Sequence, residues 1–211
     1  VFSAKIPAVD QAWHTNFDIF QVALSGGQKI NLTKDNAAWD AKPKFSADGR
    51  YMAYLAMKKP VYEADRFGLM LIDMATGERK EVAPQWDRSI DDYVFGPDNR
   101  TIYVTAQDLG QKGIFSLDHN FGEVSKIFSD GTAADIAVRG NQVFFTNHQL
   151  AATTDIYQVQ ISGGNAKALT AINAQTLKDI QLAEFAQFLP EPLIAPRHSQ
   201  AHGYYRAKTR T

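Results

Sequence analysis

DIFQVALSGGQKINLT, Asp18 to Thr33, is a period-two apolar run, a small polar tip and a second β-prone run. Two antiparallel strands joined by a tight turn read this way. The chain returns to the pattern three times, as GLMLIDMATGERKEVA (Gly68 to Ala83), GIFSLDHNFGEVSKIF (Gly113 to Phe128) and DIYQVQISGGNAKALT (Asp155 to Thr170). Every copy carries a glycine at the same place: Gly27, Gly77, Gly122 and Gly164. A turn residue with positive φ favours a side chain without Cβ, so the aligned glycines have a steric cause.

These glycines are 50, 45 and 42 residues apart, the pitch of a four-stranded β-propeller blade. A second hairpin fills each interval: FSADGRYMAYLA from Phe45, FGPDNRTIYVTA from Phe95 and AVRGNQVFFTN from Ala137. Their turns, Asp48-Gly49, Asp98-Asn99 and Gly140-Asn141, suit tight connections. Two hairpins per period give four strands per blade. Val1 to Ile6, VFSAKI, matches the second-strand runs YMAYLAM, IYVTAQD and QVFFTNH, so the chain is expected to start in mid-blade. The expected fold is all-β, a partial β-propeller of about three and a half four-stranded antiparallel blades over residues 1–190. The blades take approximately 1–33, 41–83, 91–128 and 133–170. Beyond Thr170, LKDIQLAEFAQFL (Leu177 to Leu189) opens either another strand or a short helix, and Pro190, Pro192 and Pro196 break regular structure. Residues 191–211 read as a linker or tail, polar, basic and poorly ordered from Arg197.

With 211 residues, 45% hydrophobic, and a formal net charge of -1, the chain has the means to bury a core. It has no bulk electrostatic reason to bind nucleic acid. The absence of cysteine removes disulfides, thiol nucleophiles and cysteine metal sites, and fits a cytosolic or an exported protein equally. No apolar run suggests a membrane span.

Propeller strands alternate in direction. Connections between blades, and between second and third strands, therefore emerge on one face, opposite the hairpin turns. That face is assigned KDNAAWDAK (Lys34 to Lys42), KKPVYEADRF (Lys58 to Phe67), PQWDRS (Pro84 to Ser89) and HQLAATTD (His148 to Asp155). Glu63, Asp65, Arg66, Asp87 and Arg88 are placed on its rim, with Trp39, Tyr62 and Trp86 beside them. Such a mix suits a charged substrate terminus or a second domain. The structural reading of the same residues is that Asp/Arg pairs cross-link adjacent blades and the tryptophans cap the core.

The phrases NLTKDNAAWDAKPKFSADGRYMAYLAMKKPVYEADRF (Asn31 to Phe67) and APQWDRSIDDYVFGPDNRTIYVTAQD (Ala83 to Asp108) resemble the propeller domain of the prolyl oligopeptidase family, in its dipeptidyl peptidase and acylaminoacyl peptidase branch. The YEADR loop followed by WDRS is more specific than the FSADG turn, which also occurs in TolB-like propellers. The resemblance implies a serine peptidase parent in which the propeller covers an α/β-hydrolase domain with a Ser-Asp-His triad and restricts access to short peptides or free chain ends. It slightly favours a periplasmic or secreted location, with a cytoplasmic one open. The implied partners are that hydrolase domain and a peptide substrate. No G-x-S-x-G nucleophile elbow is present. Ser25 and Ser162 lie in LSGG and ISGG hairpin tips. The chain by itself is expected to be inactive, with no catalytic residue of its own, and AHGYYRAK near its end weakly resembles the strand with which a hydrolase domain begins. The competing reading is a TolB-like protein-binding propeller without enzymatic activity.

Other chemistry finds little support. His198 and His202 have a helical metal spacing, but Pro196 argues against a helix there. Asp91 and Asp92 are strand neighbours and point to opposite faces, which opposes joint acid/base work. No metal or cofactor is expected. An incomplete set of blades exposes sheet edges and faces, so either pairing with a second copy or a strong tendency to aggregate is expected.

Overall fold

The computed structural model describes residues 1–7, 9, 11–180, 184–188 and 204–208, the last two segments as backbone. Pro190, Pro192, Pro196, His198 and His202 lie outside the described residues. The fold is all-β, a partial β-propeller. A three-stranded and a four-stranded sheet are followed by eight strands that a single Lys112–Thr132 bridge joins into one sheet, forming a third and a fourth four-stranded group.

The first sheet has three antiparallel strands, β1 (Phe2–Ala4), β2 (Asp18–Gln21) and β3 (Ile30–Asn31). The second has four, β4 (Asp40–Phe45), β5 (Tyr51–Ala56), β6 (Gly68–Asp73) and β7 (Arg79–Val82). The third comprises β8 (Ile90–Phe95), β9 (Thr101–Asp108), β10 (Gln111–Asp118) and β11 (Val124–Phe128). The fourth comprises β12 (Thr132–Arg139), β13 (Gln142–Gln149), β14 (Ala152–Gln160) and β15 (Lys167–Ala168). A one-turn helix α1 (Ala174–Leu177) follows, then a hairpin of β16 (Glu184–Phe188) and β17 (Tyr204–Lys208).

Of the two alternatives for Leu177 to Leu189, the strand is used, at Glu184–Phe188; the helical turn falls just before, at Ala174–Leu177. Tyr204–Lys208, expected in a poorly ordered tail, instead pairs with Glu184–Phe188, the two tyrosines being the strand-favouring residues of the run. HQLAATTD also departs from expectation. β13 runs to Gln149 and β14 starts at Ala152, so only Leu150 and Ala151 turn the chain. Its β-branched threonines extend a strand where polarity suggested a loop.

The chain divides into two compact units. One holds Val1–Val104 with Ser116–Ser125, the other Thr105–Phe115 with the described residues from Lys126 onward. Strands β9, β10 and β11 give residues to both.

In the first unit, β5 is buried on both faces from Met52 to Ala56, which is why YMAYLA reads as a continuous apolar run. Ile19 of the first sheet packs with Met52, Tyr54, Ala56 and Ile72 of the second, flanked by Leu32, Met70 and Met74. One backbone bond recurs at the sheet junctions. The Asp40 amide donates to the Phe17 carbonyl at 2.8 Å, and the Ile90 amide to the Phe67 carbonyl at 3.0 Å. Each ties the residue just before β2 or β6 to the first strand of the next sheet. The second-to-third sheet junction adds Tyr93, whose buried hydroxyl lies 2.6 Å from both the Lys42 and Ala53 carbonyls.

Hairpin chemistry repeats as well. Gly27, Gly77 and Gly122 all have positive φ, as does Gly164 of the second unit. In the second and third sheets the arginine after the first turn reaches the aspartate that ends the third strand. Arg50 pairs with Asp73 at 3.2 Å and Arg100 with Asp118 at 2.6 Å. In the fourth sheet Asn141 and Gln160 hold these places, yet the accompanying backbone bond persists, Ile161 to Asn141 at 3.0 Å.

In the second unit the junction bond has the opposite polarity: the Lys112 amide donates to the Gly131 carbonyl at 3.0 Å, beside a parallel bridge from Lys112 to Thr132. Ala133, Val143, Phe145 and Val159 form the buried face of the fourth sheet, with Phe145 against Phe128 and Tyr157.

Tyr93→Phe removes the hydroxyl whose one proton is shared between the Lys42 and Ala53 carbonyls, and is expected to destabilise the protein by about 1–3 kcal/mol. Urea unfolding followed by circular dichroism measures this, and an unchanged midpoint would show that the hydroxyl contributes nothing.

Candidate functional site

The segment between β5 and β6 is the long connection on the face assigned to function. It folds around Asp65, whose Oδ2 accepts from the Lys58 and Lys59 amides at 2.7 and 2.8 Å. Burial pushes the Asp65 carboxyl up, but these amide bonds and the Lys59 charge outweigh it and hold it below the usual carboxylate range. Asp65 therefore shapes the loop. Arg66 turns inward to Glu81 of β7, which also takes Lys58 at 2.5 Å. Burial alone would raise the Glu81 carboxyl, yet the two cations keep it low. Gly68 makes room, since a Cβ there would meet Glu81 Oε1 at 2.5 Å. The Arg66 pairing lies within one sheet, whereas the structural reading of the sequence placed Asp/Arg pairs between sheets.

Tyr62 and Glu63 are exposed on the same loop, with Lys59 Nζ 5.3 Å from the Tyr62 ring centroid. Asp87 and Arg88 pair with each other at 2.6 Å, after a turn in which the Trp86 amide donates to the Ala83 carbonyl at 3.0 Å. Trp39 stacks on Phe17 at 5.0 Å and meets Phe67 edge-on at 5.8 Å, bracing the loop ends. The Phe67 amide donates to Ser89 Oγ at 3.1 Å, joining the segment to WDRS.

The cross-sheet ties fall on residues that sequence reasoning passed over. Lys44 Nζ reaches the Tyr93 carbonyl at 2.5 Å and Asp92 at 3.0 Å, and Lys42 Nζ reaches the Asp91 carbonyl at 2.5 Å. Arg79 donates to the Leu32 carbonyl. The only signal for these was lysine alternating along a first strand, a pattern that solvated strands share.

Two buried acids meet at the first junction. Asp40 is fully buried and Asp18 nearly so. Asn36 donates to Asp40 Oδ1 and Asn31 to Asp18 Oδ2, each at 2.8 Å, while Asp40 Oδ2 and Asp18 Oδ1 have no hydrogen-bond partner. Burial pushes Asp40 up to about 6; hydrogen bonding from Asn36 and Thr33 and the Arg79 charge oppose the rise, and the Asp18 charge adds to it. Among the described residues no group of three or more His, Cys, Asp or Glu is arranged to hold a metal. No described helix is long and apolar enough to cross a membrane.

Comparison with known proteins bears on the chain as a whole. A dipeptidyl-peptidase 5 from Porphyromonas gingivalis is 31% identical over 176 residues, covering 83% of this chain and 26% of its own length. The chain is a propeller segment related to the dipeptidyl peptidases. The resemblance carried by the YEADR and WDRS phrases therefore holds. Among solved structures, an acylaminoacyl peptidase from Pyrococcus horikoshii aligns with a TM-score of 0.67 at 16% identity, over 89% of the propeller segment and 28% of that chain. TolB from Acinetobacter baumannii aligns with a TM-score of 0.60 at 20% identity, over 81% of the segment and 41% of that chain. At these identities the structural matches establish the fold alone. The segment spans about a quarter of the length of the curated relatives it matches. No protein-family model matches it.

The Asp40 environment sets a pH dependence. An unfolded aspartate loses its proton near pH 3.8, whereas the native one keeps it to about 6, so the native state binds more protons between these values. Stability is expected to fall as pH rises through that window and to level off above it, a loss on the order of 2–3 kcal/mol. Asp40→Asn keeps an acceptor for Asn36 and is expected to remove the decline and stabilise the protein at pH 7.5. Urea midpoints from pH 4 to 8 measure both; identical profiles for the two proteins would show that Asp40 is not the titrating group.

Proposed function

We propose that this propeller segment is the non-catalytic part of a serine exopeptidase of the dipeptidyl or acylaminoacyl peptidase type, where it gates substrate access and docks an α/β-hydrolase domain of the same protein. The observation that carries the reading is the 31% identity to a dipeptidyl-peptidase 5, spread over 83% of this chain but 26% of the relative. The 211 residues contain no G-x-S-x-G, so the nucleophile has to come from other polypeptide.

The loop face suits the role. A fixed loop cored by Asp65 and braced by Arg66 and Glu81 presents Tyr62 and Glu63 outward with little loop freedom left to lose on binding. The exposed Glu63 carboxylate can hold the ammonium group of a peptide's free amino end, the recognition a dipeptidyl peptidase requires. Asp87, Arg88 and Trp86, on the next connection, supply mixed charge for a domain contact. A second reading, a TolB-like protein-binding propeller, draws on the TolB fold match.

Of three measurements, the first tests that the segment itself is non-catalytic, and the other two separate the readings. The 211-residue chain is expected to leave fluorogenic dipeptide substrates intact, and hydrolysis blocked by a serine-directed inhibitor would overturn the assignment. In the longer protein, Glu63→Gln is expected to raise KM for dipeptide release about tenfold with kcat little changed, the signature of lost ground-state binding. A reading frame that carries no hydrolase region, together with no peptidase activity, would decide for the TolB-like role.

A further inference from the structure

We propose that a cavity in the second unit is a binding site for a neutral saccharide. It has a volume of about 770 Å³ and is lined by residues of β11, of β13 and β14, and of the hairpin at Asn165. This is well within the range of small-ligand sites. The proposal stands on the cavity alone and does not depend on the peptidase reading.

The polar groups around it are fixed before any ligand arrives. Gln149 Nε2 donates to Asp130 Oδ2 at 2.8 Å, and Asn147 Nδ2 donates to the Asp130 carbonyl at 2.9 Å. Gln111 Oε1 accepts from the Ser129 hydroxyl at 3.2 Å. After these bonds the second carboxylate oxygen of Asp130 and the Gln149 carbonyl oxygen can still accept, and the Gln111 amide nitrogen can still donate. Asn147, almost wholly buried, keeps a side-chain oxygen with no hydrogen-bond partner, a state that is costly in native structures. Tyr157 adds a ring held by stacking on Phe145, with centroids 5.9 Å apart.

This inventory selects the ligand class. Carboxylate and amide groups that leave both acceptors and donors free match hydroxyls, each of which gives one hydrogen bond and takes others. The one lining cation, Lys126, is already paired with Asp108 at 2.8 Å, so Asp130 leaves the cavity acidic and unsuited to a carboxylated sugar or a phosphate. A flat ring beside hydrogen-bonding amides suits a pyranose, which has an apolar face and a rim of hydroxyls.

The test uses the 211-residue chain with glucose, maltose, N-acetylglucosamine and galacturonate, followed by saturation-transfer NMR and titration calorimetry. Binding of at least one neutral sugar is expected, with galacturonate weaker. Gln149→Ala and Asp130→Asn are each expected to weaken binding about tenfold, roughly 1.4 kcal/mol. Tyr157→Ala is expected to abolish the saturation transfer, and circular dichroism confirms that each variant is folded. No binding of any neutral sugar would overturn the proposal, as would tighter binding of galacturonate or equal affinity in all folded variants.

Discussion

The recurring backbone hydrogen bond at the start of β2, β6 and β10, made to the first strand of the next sheet or the residue before it, is the constraint on which the rest depends. Phe17 with Asp40, Phe67 with Ile90 and Lys112 with Gly131 satisfy it in turn. Because its atoms belong to the main chain, it tolerates phenylalanine, lysine, aspartate or glycine at the same structural place. Side chains then vary around it. Arg50 and Arg100 clamp Asp73 and Asp118, while Asn141 and Gln160 stand in their places in the fourth sheet with the local backbone geometry kept. Repeats of this kind stay recognisable by spacing long after their side chains have diverged.

The junctions also explain where polar groups are buried. A sheet stacked on another must leave no unpaired main-chain group between them, and the deviations in β4 expose such groups. Tyr93 reaches two of the carbonyls, and Lys44 and Lys42 reach carbonyls in the opposite direction. Asp40 is the costly member of this arrangement, since it carries its carboxyl out of solvent to hold Asn36 at the entry of the second sheet. Asn36 in turn donates to the Met57 carbonyl at 3.0 Å, so the same group also fixes the start of the long connection.

Much of this fold was legible in the sequence because its signals are local. A glycine with positive φ, a period of two and a turn dipeptide each act within a few residues, and the four aligned glycines met that condition. The candidate site was legible only in part. Tyr62 and Glu63 could be placed on a loop from the sequence, but Arg66 with Glu81 and Lys44 with Asp92 depend on which strands become neighbours. Threonine misled at His148 to Asp155, where a polar but β-branched pair continues a strand. The cavity was invisible for a related reason: its lining comes from five separate stretches, none unusual alone.

The connections between second and third strands differ sharply in length. Leu109 with Gly110, and Leu150 with Ala151, suffice in the later sheets, whereas the second sheet uses the whole stretch from Met57 to Phe67. Closing a longer loop costs only a logarithmic increment of entropy, so this stretch can gain or lose residues while every ladder stays in register. Kindred proteins can then differ by insertion or deletion there without disturbing the sheets, and exchanging that stretch between them offers a direct route to grafted selectivity.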